Sequence, residues 1–408
     1  MSDQQPRTIL VANPSADVYG SDLQMRESVA AFRERGIRVV VVVPALGPLV
    51  AGLRDLGAEI RLLDYPVLCR SAASVHGLAH LAEAAGRALP GIRRLVREVR
   101  PDLVYVNTLT LPWWLLATRG TGVPALCHVH EAEAADPPAV RRALALPLLL
   151  ADTVVANSRT TQESLLESVP ALAARLRLVC NGIPGPPRTP RLPRHDDPGA
   201  AVRLVTVGRL SRRKSPDTAL EAAALLRARG YDVHLELCGT PAPGQEDYAA
   251  GLRERAQRPD LRGAVTFAGY VAPVWPALER ADLLLAPSLG ESFGNAVVEA
   301  QLARRPVVAA AVPGHLETIR HGVTGLLVTP RDPRALADAV GTLVEDPGLA
   351  LLLGDAGRRA ARWAYGVARY RSEIADVAAR CARAGAQTRS SAGQGLLSST
   401  SSPRRARA

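Results

Sequence analysis

Short, unbroken runs of β-branched and aliphatic residues recur along the whole chain, separated by amphipathic stretches long enough to form a helix. Unbroken apolar runs suit strands buried on both faces, and a helix-length interval suits the crossover that a parallel pair needs. In the first half the pattern predicts strands over Thr8–Ala12, Arg38–Val43, Glu59–Leu63, Leu103–Val106, Ala125–Val129, Thr153–Ala156 and Leu176–Val179, with helices over Ser21–Arg35 and Gly47–Leu56. A second alternating series starts at Val202. It predicts strands over Val202–Val207, Val233–Cys238, Val265–Ala268, Leu283–Ala286, Val307–Ala310 and Gly325–Val328, with helices over Asp217–Arg229 and Ala296–Ala303. The fold class is therefore α/β with two Rossmann-like, doubly wound halves.

Between the halves, Ile183 to Pro198 is rich in proline and flanked by Gly182 and Gly199, which reads as a linker because proline stops both helix and sheet. The division is an amino-terminal domain over 1–185, a linker over 186–200, a second domain over 201–355 and a carboxyl-terminal helix over 356–384. A tail over 385–408, whose Ser/Gly content and Pro403-Arg404-Arg405-Ala406-Arg407 ending suggest no packed structure, follows. A length of 408 residues, 47% of them hydrophobic, is ample for two cores.

Charge changes this picture only a little. The net charge of +11 raises nucleic acid or anionic lipid as partners, but no zinc-finger, RNA-binding or zipper pattern accompanies it, and nucleic acid is disfavoured. Gly91–Arg100 is a basic amphipathic helix that reads either as a solvated face over an Ile92/Leu95/Val96/Val99 core stripe or as a peripheral contact with an anionic membrane. The five scattered cysteines form no CxxC pair, and no hydrophobic signal precedes the first strand, so a reduced cytoplasmic setting is expected, with peripheral attachment to the inner face of the plasma membrane open. GxGxxG after the first strand, GxxxxGK[ST] and GxSxG are all missing, which disfavours a nicotinamide dehydrogenase, a P-loop kinase and a serine hydrolase.

The candidate chemistry lies at strand ends. After the run Leu283–Ala286 comes Glu291-Ser292-Phe293-Gly294-Asn295-Ala296-Val297-Val298-Glu299. Glu291 falls in the loop and Glu299 in the following helix, roughly 10 Å further along at 1.5 Å per residue. Phe293, Gly294 and Asn295 can offer amides at the helix start, a place that favours phosphate. A diphosphate flanked by two hydroxyl-binding carboxylates describes a nucleotide-sugar; a solvated glutamate before an ordinary helix start is the other reading. Upstream, Val202–Val207 ends in Gly208-Arg209-Leu210, with Lys214 close behind. The glycine lets backbone approach a ligand and the two cations suit a leaving diphosphate, although the same residues would serve as a basic surface loop. In the first half, Cys127-His128-Val129-His130-Glu131 closes a strand whose alternation puts both histidines on one face without a third metal ligand.

Taken together, Val207-Gly208-Arg209-Leu210, Lys214 and the Glu291 to Glu299 pair resemble the signature of the retaining glycosyltransferases of family four, from about Thr8 to about Tyr370. That resemblance implies the GT-B fold, two Rossmann-like domains facing a central cleft, and transfer of a sugar from a nucleoside-diphosphate sugar to an acceptor hydroxyl. It implies Arg209, Lys214, Glu291 and His130 as catalytic residues, with Glu291 on the donor sugar hydroxyls, His130 bordering the sugar and Glu299 on the ribose. Gly208, Phe293, Gly294, Asn295 and Glu299 complete the donor site. Weaker acceptor-side candidates are Gly20, Asp22, Asn107 and His128, with Asp22 also a good helix cap. No metal and no cofactor beyond the nucleotide-sugar co-substrate is expected. The acceptor stays open among glycans, lipid-linked sugars and small molecules. A glycoside phosphorylase or sugar-phosphate synthase of the same architecture, or a non-catalytic nucleotide-sugar-binding partner, are the competing readings.

Overall fold

The computed structural model describes residues 5–68, 75–131, 136–191 and 201–398. It divides into two compact units. The first comprises the chain through Asn157, Thr161–Cys180 and the residues from Tyr370 onward; the second comprises Ser158–Thr160 and Asn181–Arg369. Most of the expected linker, residues 192–200, and the last part of the expected tail, residues 399–408, lie outside the described residues.

In the first unit, β1 (Thr8–Ala12), α1 (Gly20–Glu34), β2 (Arg38–Val43), α2 (Leu49–Asp55), β3 (Glu59–Leu62), α3 (Val75–Val99), β4 (Leu103–Val106), α4 (Pro112–Thr118), β5 (Ala125–Val129), α5 (Pro138–Ala145), β6 (Thr153–Ala156), α6 (Arg159–Ser168) and β7 (Leu176–Leu178) alternate in the expected manner. The strands form one sheet in the order β3-β2-β1-β4-β5-β6-β7, all parallel. Successive residues face opposite sides: Ile9, Val11, Val39 and Val41 enter one core while Leu10, Ala12, Val40 and Val42 enter the other. Both faces are therefore covered, which is why these strands read as unbroken apolar runs.

The second unit repeats the plan with β8 (Val202–Val207), α7 (Pro216–Ala228), β9 (Val233–Cys238), α8 (Glu246–Ala256), β10 (Val265–Gly269), α9 (Trp275–Arg280), β11 (Leu283–Ala286), α10 (Asn295–Leu302), β12 (Val307–Ala310), α11 (Pro313–Thr318), β13 (Leu326–Val328), α12 (Pro333–Glu345) and α13 (Pro347–Tyr365). Its parallel sheet runs β10-β9-β8-β11-β12-β13. In each unit the strand order reverses beside the first strand, between β1 and β4 and between β8 and β11. Ligands of open α/β sheets bind beyond the carboxyl ends of strands at such a reversal.

Three expectations differ from what is found. The helix expected over 356–384 is two helices. α13 starts at Pro347, where Asp346 accepts a hydrogen bond from the Leu349 amide at 2.9 Å, and an extended Gly366 separates it from α14 (Val367–Ser398). α14 also runs past the boundary at which the tail was expected to begin. Its alanine, arginine and glutamine content sustains helix, and at Gly385 the backbone is so close to Pro124 that a Cβ would lie 2.6 Å from the ring. Finally, the basic stretch Gly91–Arg100 is the end of the much longer α3. There Ile92 and Val96 are buried, Leu95 and Val99 pack beside them, and the arginines lie on the outer face, which is the solvated-face reading.

Candidate functional site

In the second unit, the ends of β8 and β11 and the loops that follow them line an open pocket that includes Gly208, Arg209, Lys214, Ser288, Glu291 and Gly294. The β8 end needs glycine on two counts. Gly208 sits at φ +146°, and a Cβ on Gly239, at the end of β9, would fall 1.8 Å from the Gly208 carbonyl oxygen. The two strand ends thus close up into a floor of bare backbone.

Across that floor the Lys214 ammonium hydrogen-bonds Glu291 Oε1, Ser288 Oγ donates to the same oxygen at 2.8 Å, and Arg213 Nη1 stands 3.8 Å from Glu291 Oε2. Burial alone would raise the Glu291 pKa, but Lys214, Arg213 and His315 outweigh it and hold the group down at about 2. Glu291 is therefore a fixed anion at neutral pH, oriented from three sides.

Glu299, one helix turn beyond the start of α10, is the opposite case. No described side chain hydrogen-bonds its carboxyl, and burial pushes its pKa up to about 7 against a weaker pull from Lys214. The pair that looked alike in the sequence is electrostatically split.

Gly294 caps α10 in the left-handed region at φ +96°, and a Cβ there would meet His315 Cδ2 at 3.0 Å. The amide end of α10 consequently opens toward the pocket beside the His315 imidazole. Phe293, expected on the donor, is instead buried with its ring edge-on to Tyr365 at 5.0 Å, and it anchors the loop from beneath. Asn295 accepts a hydrogen bond from Asn181 at 3.0 Å and lies outside the pocket lining.

His315, Ser288 and Arg213 were not singled out in the sequence. His315 is buried, its Nδ1 is 2.9 Å from the Ala310 carbonyl, and burial lowers its pKa although Glu291 pulls the other way. Its only sequence signal is Pro313-Gly314 ahead of it. Gly314 packs under the Glu291 loop, where a Cβ would be 2.8 Å from the Glu291 carbonyl oxygen.

In the first unit the residues beyond β1, β4 and β5 join in a hydrogen-bonded chain. Asp22 accepts from Asn13 Nδ2 at 2.9 Å, Asn13 Oδ1 accepts from Asn107 Nδ2 at 2.8 Å, and Asn107 Oδ1 lies 3.0 Å from His130 Nε2. Because Asn107 presents its oxygen, the neutral His130 carries its proton on Nε2. Burial lowers the His130 pKa to about 3, so the ring is uncharged.

Asp22 also accepts from the Tyr19 amide at 3.2 Å and thereby caps α1, with burial raising its pKa; Gly20, the first residue of α1, is exposed. His128 is not at the strand mouth but inside the core. Its ring lies beside that of His130, centroids 4.1 Å apart and tilted by 44°, as alternation allows, and its Nδ1 is 2.5 Å from the Tyr105 hydroxyl. Beyond Tyr105, Ser28 leads to Tyr370 of α14, so His128 belongs to a buried polar tie.

Two doubly wound parallel-sheet units, each with polar residues gathered where its strand order reverses, define the GT-B glycosyltransferase architecture. Two family models match the chain in succession: Glycosyltransferase Family 4 over residues 20–184 and Glycosyl transferases group 1 over residues 201–346. The chain belongs to this family of glycosyltransferases, whose reaction is sugar transfer from a nucleotide-sugar.

Among curated relatives, a D-inositol 3-phosphate glycosyltransferase of Corynebacterium urealyticum is 26% identical over 86% of this chain and 88% of its own length. One of Thermobispora bispora is 34% identical over 53% of each chain, so that alignment spans about half of the relative. Among solved structures, the Anabaena protein HepE in complex with UDP-glucose superposes with a TM-score of 0.76 at 22% identity, covering 90% of this chain and 98% of that one. A sucrose-phosphate synthase of Thermosynechococcus elongatus gives 0.73 at 21% identity, covering 91% and 98%. Both likenesses are of fold. Among the described residues no helix is long and apolar enough to cross a membrane.

Proposed function

We propose that the chain is a retaining glycosyltransferase whose second unit holds the nucleoside-diphosphate sugar. The observation that carries this reading is the ionised Glu291 held by Lys214 and Ser288 over the bare Gly208 backbone. A fixed carboxylate accepts hydroxyl hydrogen bonds from a sugar, while Lys214, Arg209 and the amides that open α10 meet the diphosphate. Charge grows on that diphosphate as the glycosidic bond breaks, and preorganised cations and amides stabilise it there. Glu299 binds ribose hydroxyls. In the front-face course implied by retention, the leaving phosphate accepts the proton of the acceptor hydroxyl, so neither glutamate acts as a hydrolase acid or base.

The acceptor we infer is an alcohol presented to the first unit. Its amide and imidazole chain hydrogen-bonds no lysine or arginine among the described residues, which suits a neutral hydroxyl better than a phosphate. The named relatives act, by their names, on D-inositol 3-phosphate; an acceptor of that charge would call for cations at this point.

The test is calorimetry of the purified chain against UDP-, GDP-, ADP- and dTDP-sugars, with NAD and ATP as controls. Selective binding of one nucleotide-sugar, lost in Glu299→Ala, is the expected result and names the base. No binding to any of them, or equal binding by the variant, overturns the donor site.

A further inference from the structure

We propose that the outer face of α13 is a docking surface for an anionic lipid bilayer. Of the four tryptophans, Trp113, Trp114 and Trp275 are buried or half-buried, whereas Trp363 is 85% exposed. Leu352, on the same helix, is 70% exposed. At 100° per residue, Leu352, Arg359 and Trp363 fall within about 40° of one another around the helix axis, so they form one outward stripe. Arg362, also exposed, flanks it.

A neighbouring segment supports α13 from the opposite side. Tyr365 Oη donates to the Glu317 carbonyl at 3.0 Å, and a Cβ at Gly357 would lie 3.1 Å from the Thr324 carbonyl, so α13 rests along residues 317–324. Exposed side chains there and at the end of α11 are Leu316 at 57%, Val323 at 41%, Arg320 and His321.

The charge is one-sided. Arg320, Arg359 and Arg362 face outward. The nearby acids are engaged elsewhere: Asp355 accepts from Arg304 at 2.6 Å, and Glu317 accepts from the Arg159 and Thr160 amides. The like charges press on one another, since burial first and then Arg362 and Arg304 lower the Arg358 pKa.

A protein partner is expected to find a groove or a buried anchor pocket, but here single apolar side chains project among arginines. That arrangement matches the headgroup boundary of a bilayer, where tryptophan ring and aliphatic tips enter the acyl edge and guanidinium groups meet anionic headgroups. The face is separate from the donor pocket, and its occupancy does not depend on the reading of that pocket.

The experiment is co-sedimentation of the full chain with phosphatidylcholine vesicles with and without phosphatidylglycerol, at low and high salt. Binding is expected only to the anionic vesicles and weakened by salt. Trp363→Ala should lower partitioning about tenfold, and the pair Arg359→Glu with Arg362→Glu by about 30-fold or more, in line with the loss of one interfacial aromatic or of two headgroup cations. Arg93→Glu with Arg94→Glu, on the basic face of α3, should leave it unchanged.

Far-UV circular dichroism and thermal melts of the α13 variants report that they are folded. Absence of vesicle binding, binding lost in the α3 variant but kept in the α13 variants, or retention on a soluble polyanion without vesicle binding would each overturn the assignment.

Discussion

Beyond β8 and β11 the second unit concentrates charge: Lys214 and Arg213 surround an ionised Glu291. At the corresponding reversal of the first unit, beyond β1 and β4, Asn13, Asn107 and His130 form a chain that hydrogen-bonds no cation among the described residues. Both sites lie where a doubly wound sheet offers a crevice, yet one gathers ion-paired charges and the other a run of amide and imidazole hydrogen bonds. The fold supplies the location twice, and the side chains decide what each location does.

The sharpest way to break this contrast is Lys214→Ala. Removing the cation should cut kcat/KM by about 10²- to 10³-fold, the scale of losing one preorganised donor to developing charge, while donor affinity falls less. Steady-state kinetics beside calorimetry checks it, and a loss confined to KM would place Lys214 in ground-state binding only.

Glu299 gives the next largest effect. With its pKa raised to about 7, the folded protein keeps this proton between about 4.5 and about 7 while the unfolded chain releases it. Stability contributed by the protonated form is therefore present at low pH and lost as pH rises through about 7, whereas donor affinity, which wants the carboxylate, rises over the same window. Thermal melts and titrations at several pH values should show both trends, and Glu299→Gln should flatten them; a pH-independent wild type would refute the split between the two glutamates. Glu291 has the reverse sign, since its depressed pKa adds stability above about 4.5 that disappears as pH falls toward about 2.

In the first unit, Asn107→Leu leaves Asn13 Oδ1 and His130 Nε2 without their buried partner. Denaturant unfolding should show a loss of about 1–3 kcal/mol, with nucleotide binding to the second unit unchanged. The smallest effect is Asp22→Ala, which removes the α1 cap and should cost about 1 kcal/mol by the same measurement.

How much of this was legible follows the range of the forces involved. β1, β2, β4, β5, β6, β8, β9, β11 and β12 have the predicted bounds because an unbroken apolar run states its own burial. α13 and α14 were read as one helix followed by a disordered tail. What ends α13 is the extended Gly366, and what holds α14 at Gly385 is the approach to Pro124, a contact with a residue far away in the chain. Paired motifs at two strand ends put Lys214 and Glu291 at one site, but neither their ion pair nor the part played by His315 was signalled, since the His315 ring reaches Gly294 only because Gly314 lets two loops touch.

The sequence by itself determined the two parallel sheets, the family and the residue types at each strand mouth, because period, glycine placement and charge are local properties. Tertiary structure alone decided that Phe293 anchors while Glu291 faces the pocket, that His128 is core while His130 stands at the edge, and that two similar glutamates carry opposite pKa shifts. Those distinctions depend on which way a side chain points after a turn and on what surrounds it, and both are set by contacts between residues distant in sequence.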